Sequence, residues 1–158
     1  MNLRRLVVLT SLCASVLLTD SLAIGQSKDP MVGSWLMDRG KSEFTPPNLF
    51  FKRTMTIEAI DGGITCVTKT VDDRRASVET SYSARYDGKD VPIDGSALDT
   101  VALRRIDANT VELAGKIKGK VVETATMKVS ADGKLITITT KGSLNERLYS
   151  STQVFGRQ

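Results

Sequence analysis

The sequence predicts an all-β domain: an antiparallel up-and-down barrel of about eight to ten strands behind an export signal. Three observations carry this. Several runs rich in Val, Ile, Thr and Tyr alternate between apolar and polar residues, the pattern of a strand with one buried face. Turn signals break these runs at short intervals, above all Asp61-Gly62, Asp87-Gly88, Asp94-Gly95 and Asp132-Gly133, a dipeptide that favours tight hairpins with positive φ at both central residues. Beyond the N-terminal apolar run, no segment carries a long amphipathic-helix pattern. Nine or so strands in succession leave exposed edges unless they close, and closure into a barrel removes them. A two-sheet sandwich is the alternative, but the even hairpin spacing without a long crossover favours the barrel.

The chain opens with Met1, the basic pair Arg4 and Arg5, and an apolar run from Leu6 to Leu18. That run is too short for an ordinary spanning helix and suits the apolar region of a signal peptide. Small residues follow at Ser21, Ala23 and Gly25, so cleavage after Ala23 or after Gly25 meets the rule for such sites. The expected organisation is a signal peptide over 1–25, a polar lead-in over 26–31 and a barrel over 32–158. The mature chain is then periplasmic or secreted, without a membrane span. It keeps Cys66 but loses Cys13, so no intrachain disulfide forms and the core must hold the fold.

The first strand is VGSWLMD, from Val32. Arg39–Phe51, with Pro46-Pro47, reads as one long irregular connection, a lid loop or a short helical turn. The next runs are Thr54–Ile60, Ile64–Val71, Val78–Tyr86, Thr100–Ile106, Val111–Ile117, Val121–Val129, Leu135–Lys141 and Arg147–Phe155. Asp107-Ala108-Asn109 and Lys118-Gly119-Lys120 read as further turns. Alternation places Met55, Ile57 and Ala59 on one face, and likewise Val78, Thr80, Tyr82, Ala84 and Tyr86; Ala125, Met127 and Val129; and Ile136 with Ile138.

Composition closes several functional classes. The 158 residues include no histidine, which excludes Ser-His-Asp or Cys-His catalysis and imidazole-ligated zinc. The net charge of +4 is scattered, and no basic run interleaved with aromatics would track nucleic acid. No glycine-rich phosphate loop or nucleophile-elbow motif occurs. The expectation is therefore no enzyme, no cofactor, no metal and no nucleic-acid partner. Asp87, Asp90, Asp94 and Asp99 cluster around two turns, but their spacing is not that of a calcium loop.

Three residue groups stand out as candidates for a ligand site. If Val101 and Leu103 face inward, so does Arg105, and an inward guanidinium needs an anion such as a ligand carboxylate. The alternative is that the strand ends there and Arg105 reaches solvent or pairs with a nearby aspartate. Tyr82 and Tyr86 share the inner face with Thr80 and could offer hydroxyls to a head group, or simply pack in the core. Cys66 falls in a strand, as a buried thiol.

Gly33-Ser34-Trp35 resembles the G-x-W motif of the lipocalin and fatty-acid-binding superfamily, the calycins. The succession GSWLMDRGKSEF, SARYDGKDVPIDG, DTVALRRIDANTVE, VSADGKLITITTKG and VFGRQ is similar to small exported bacterial lipocalin-like proteins of unknown function. The resemblance covers nearly all of residues 32–158. It implies a calycin-like barrel whose base is closed by Gly33 and Trp35, with Arg157 over the indole face as a cation–π partner. It also implies a binder of a small apolar or amphipathic molecule. The competing reading is a barrel filled by its own side chains that works through its outer surface. The proline-containing stretch after the first strand departs from the helical lid of fatty-acid-binding proteins.

Overall fold

The computed structural model describes residues 29–47 and 50–158. The expected signal peptide and both cleavage sites lie outside them. Ten strands follow in order: β1 (Gly33–Thr45), β2 (Phe50–Ile60), β3 (Gly63–Asp72), β4 (Ser77–Arg85), β5 (Val91–Pro92), β6 (Thr100–Asp107), β7 (Thr110–Ile117), β8 (Lys120–Val129), β9 (Leu135–Leu144) and β10 (Arg147–Arg157). All pairings are antiparallel, and no helix occurs among the described residues. The sheet order is β4-β3-β2-β1-β10-β9-β8-β7-β6-β5, so the last strand returns to lie beside the first. The remaining seam, between β4 and the β5–β6 edge, is closed by single bridges. Ser81 and Asp94 exchange backbone hydrogen bonds at 3.1 and 2.9 Å, and the Gly88 N–H donates to the Leu103 carbonyl at 2.9 Å. The result is a nearly closed all-β barrel with little free edge.

β1 departs from the expected organisation. It runs on to Thr45, through most of the stretch expected to be an irregular connection. A bulge explains the misleading pattern. Asp38 pairs with Val154 and Glu43 with Thr152, so β1 carries extra residues between these points. The odd insertion flips the alternation, which puts both Met37 and Phe44 against the core although they lie at positions of opposite parity. Ser42 mends the ladder: its Oγ accepts the Val154 N–H at 3.0 Å and donates to the Asp38 carbonyl at 2.7 Å. β1 pairs with β2 only over Gly33–Leu36, so the two strands splay beyond that point.

The hairpins also differ from expectation in detail. At the four Asp-Gly pairs only the glycine takes positive φ, between 67° and 74°. Positive φ at both central residues occurs instead at Lys118-Gly119 and Asn145-Glu146, the two-residue loops after β7 and β9. These are type I′ geometries, whose twist matches the flanking strands.

The core fills one end of the barrel. Met55, Ile57, Ala84, Ala125, Met127, Val129 and Ile136 are buried as their alternation predicts, with Trp35 and Phe155 the largest buried side chains. Ala59 and Val78 lie on the expected faces but are exposed, because the packed interior ends before the strands do. Residues 29–32 form a turn that plugs the base. The Val32 N–H bonds the Asp29 carbonyl at 3.0 Å, and Met31 is fully buried. The Trp35 indole N–H donates to the Met31 carbonyl at 3.0 Å. The Arg157 guanidinium lies 4.1 Å over the Trp35 ring and donates to the Val32, Pro30 and Gly133 carbonyls. Gly33 suits this cap: its φ of 151° is one that residues with a side chain rarely adopt, and a Cβ would have to displace Arg157 Nη1. This cap joins the chain's first described residues to its last strand.

Cys66 is buried in the same core, and burial pushes its thiol pKa up. The thiolate is the reactive form, so native protein is expected to leave a disulfide reagent such as DTNB unreacted at neutral pH. Addition of denaturant should expose the Cys66 thiol to the reagent; rapid reaction of the folded protein would show that β3 opens readily.

Candidate functional site: a cavity in the open half of the barrel

Inward positions change character along the barrel axis. On β2 the buried Ile57 and Met55 give way to Arg53; on β3, Cys66 gives way to Thr68 and Thr70; on β9, Ile136 gives way to Thr140; on β10, Phe155 gives way to Gln153, Ser151 and Tyr149. Apolar residues large enough to fill the barrel stop halfway. Above them lies a cavity of about 740 Å³, within the range of small-molecule sites. Val101, Leu113 and Tyr82 supply apolar wall, and Phe44, Pro46, Val78, Leu98 and Leu144 line it as well.

Two polar groups are built into this wall. Arg53 donates from Nε to Thr70 Oγ1 at 2.9 Å and from Nη1 to Gln153 Oε1 at 2.6 Å. Gln153 in turn donates to Ser151 Oγ at 3.1 Å. Burial pushes the Arg53 guanidinium down to about 10, because removing a cation from water disfavours its charged form; at neutral pH it is still a cation. The second group is Glu123, which accepts the Tyr149 hydroxyl at 2.7 Å. Burial, then this carboxylate, raise the tyrosine pKa. Two glycines make room beside Glu123. It pairs with Gly115 on β7 and Gly142 on β9. A Cβ at Gly142 would collide with the Tyr149 ring, and one at Gly115 would meet Leu98 Cδ1 at 2.6 Å.

The residues singled out by sequence divide between the two ends. Thr80 and Tyr82 line the cavity. Tyr86 and Arg105 are not among its lining residues and belong to the base. The Tyr86 hydroxyl donates to Asp29 Oδ2 at 2.6 Å, Arg105 Nη2 pairs with the same oxygen, and the guanidinium stacks 4.0 Å from the Tyr86 ring. Arg105 Nη1 reaches the Ala108 carbonyl at 2.9 Å. Of the alternatives for Arg105, the structure therefore places it on an aspartate of its own chain. Arg105→Met should leave cavity binding unchanged but cost about 2 kcal/mol by taking the cation from a mostly buried carboxylate that keeps, among the described residues, only the Tyr86 hydroxyl and the Met31 N–H as donors, to be read from the urea midpoint. The four acidic turn residues do not converge. Asp87 caps the Lys89 N–H, Asp90 holds Lys116, Asp94 bridges Ser81 through its backbone, and Asp99 accepts the Lys118 N–H.

Arg53, Glu123, Tyr149 and Gln153 were not singled out by sequence. For two of them a signal existed: Arg53 extends the Met55–Ile57 face by one step, and Glu123 extends Ala125–Met127–Val129. Polar residues at the end of an apolar face read as the point where a strand leaves the core, which hides a polar cavity wall.

Comparisons with known proteins bear on the fold. No protein-family model matches the chain, and no curated protein matches its sequence. Among solved structures, it is similar to the wild-type fluorescent protein UnaG at 14% identity and a TM-score of 0.54, covering 81% of this chain and 97% of that one. It is similar also to the zebrafish ileal bile acid-binding protein complexed with cholic acid, at 11% identity and a TM-score of 0.50, covering 82% and 99%. The fold is that of a calycin-like barrel.

Proposed function

We propose that this chain is an exported carrier that takes a small apolar or amphipathic molecule into the open half of its barrel, without catalysing a reaction on it. The observation that carries the reading is the cavity itself: about 740 Å³, lined by apolar side chains together with hydroxyls and a few charged groups, a volume within the range of small-molecule sites. A barrel acting only through its surface has no need of such a space. One structural neighbour is described with cholic acid bound, which supports an amphipathic ligand here. The run Leu6–Leu18 with small residues at Ala23 and Gly25 supports export to a periplasm or beyond. Arg53 is the residue best placed to receive an anionic head group, with Thr80 and Tyr82 on the same wall.

Native mass spectrometry of the mature protein, purified without detergent from its own host, tests the carrier reading. A bound mass lost on denaturation, or displacement of a fluorescent fatty acid by lipid extract, is the expected result. A bare mass together with no uptake of the fluorescent probe would reject it in favour of a surface-acting module.

A further inference from the structure

The cavity wall holds charges of opposite sign on different strands, and we infer from them a narrower ligand class. The ligand is an anionic amphiphile that carries a hydrogen-bond donor, a hydroxyl or an ammonium, at the far end of its apolar body. The acid group lies at Arg53 and the donor at Glu123. This rests on the reading of the cavity as a binding site and goes beyond it.

The geometry separates the two poles. Arg53 is tied to Gln153 and Glu123 is tied to Tyr149. Gln153 and Tyr149 both line the cavity from β10, four residues apart, which is about 13 Å at the rise of a strand. The Arg53 pole is a cation whose partners include the neutral Thr70 and Gln153, and a ligand carboxylate can add a charge-assisted bond to it. The Glu123 pole has the opposite need. Among the described residues, the Tyr149 hydroxyl is the donor to this carboxylate, and it takes Oε2. An ionised carboxylate can accept several more hydrogen bonds, and a half-buried one is costly where it meets apolar groups. A plain alkyl tail laid from Arg53 across the cavity would impose that cost at Glu123, whereas a tail ending in a donor would remove it. Asp72 also lines the cavity, but its carboxylate accepts the Ala76 N–H at 2.8 Å and serves the turn after β3. The space over the flanking Gly115 and Gly142 is taken by the Leu98 and Tyr149 side chains, both of which line the cavity beside Glu123.

Isothermal titration of the mature protein with dodecanoate, 12-hydroxydodecanoate and 12-aminododecanoate tests this. At least one of the ω-substituted acids should bind about tenfold or more tightly than dodecanoate, as a hydrogen bond to a charged group allows. Which arm gains identifies hydroxyl or ammonium. Glu123→Leu should abolish the preference; Tyr149→Phe, which keeps the carboxylate, should retain it. Equal or weaker binding of both ω-substituted acids by the wild-type protein overturns the inference and leaves the carrier reading standing. Failure of all three acids and of the fluorescent fatty acid would sink the carrier reading and this inference with it.

Discussion

Trp35→Ala should destabilise the protein by about 3–5 kcal/mol, the cost of emptying a large buried aromatic site. Trp35 is 1% exposed at the barrel base, where its ring meets Arg157 and its N–H meets the Met31 carbonyl. The cation–π contact accounts for only about 1 kcal/mol of this, so Arg157→Met should cost clearly less, although it also gives up three carbonyl contacts. Most of the loss comes from packing. Removal of the indole leaves a void next to Met31 and undoes the closure of the base. Because domains of this size are commonly stable by only 5–15 kcal/mol, the variant should be close to unfolding at body temperature. The protein has a single tryptophan, so urea unfolding must be followed by far-UV circular dichroism. A loss below about 1 kcal/mol would mean that residues 29–32 and Arg157 close the base without the indole.

How much of this the sequence shows depends on where a residue sits along the barrel axis. Near the base, one-sided burial imposes strict alternation, and Met55, Ile57, Met127 and Ile136 could be placed from period two alone. Turn chemistry set most strand limits within a few residues. β1 escaped because its bulge breaks the period at the point where Arg39, Gly40 and Lys41 look like loop. β5 escaped because a two-residue strand has no pattern. In the open half, burial is partial and polar side chains face one another across a cavity. Nothing in Arg53 or Gln153 taken singly announces that they meet, since one hundred positions of chain separate them. Arg105 illustrates the converse. Its parity on β6 gave reason to look inward, but its partner is Asp29, a residue assigned to the lead-in rather than to the barrel.

Arg53→Met should have opposite effects on stability and on binding. The unliganded variant is expected to be more stable than the wild-type protein by about 1–2 kcal/mol at pH 7, and its affinity for a fatty acid anion should fall at least tenfold. The sign follows from burial. Desolvation moves the guanidinium from its ordinary, higher value down to about 10, so the unfolded chain holds that proton more tightly than the folded one. The folded state therefore carries the penalty at every pH below about 10, and it is relieved only as pH climbs from there toward the ordinary guanidinium value. A shift of that size corresponds to roughly 3 kcal/mol, and the lost contacts of the guanidinium, the hydrogen bonds to Thr70 and Gln153 among them, offset part of it. Methionine has a comparable length and no charge, so it can cover the same wall without the desolvation cost. A carboxylate bound at Arg53 would replace the missing water and recover the penalty as binding energy, which is why the gain in stability and the loss in affinity should appear together. Arg53→Lys keeps the charge without the planar fork and should fall between the two in affinity. The measurements are a urea midpoint and a titration with dodecanoate on the same preparations. If Arg53→Met instead lowers the midpoint, the arginine is a bracket that holds β2 to β3 and β10 where β1 and β2 splay, and the anion would have to be received elsewhere on the wall.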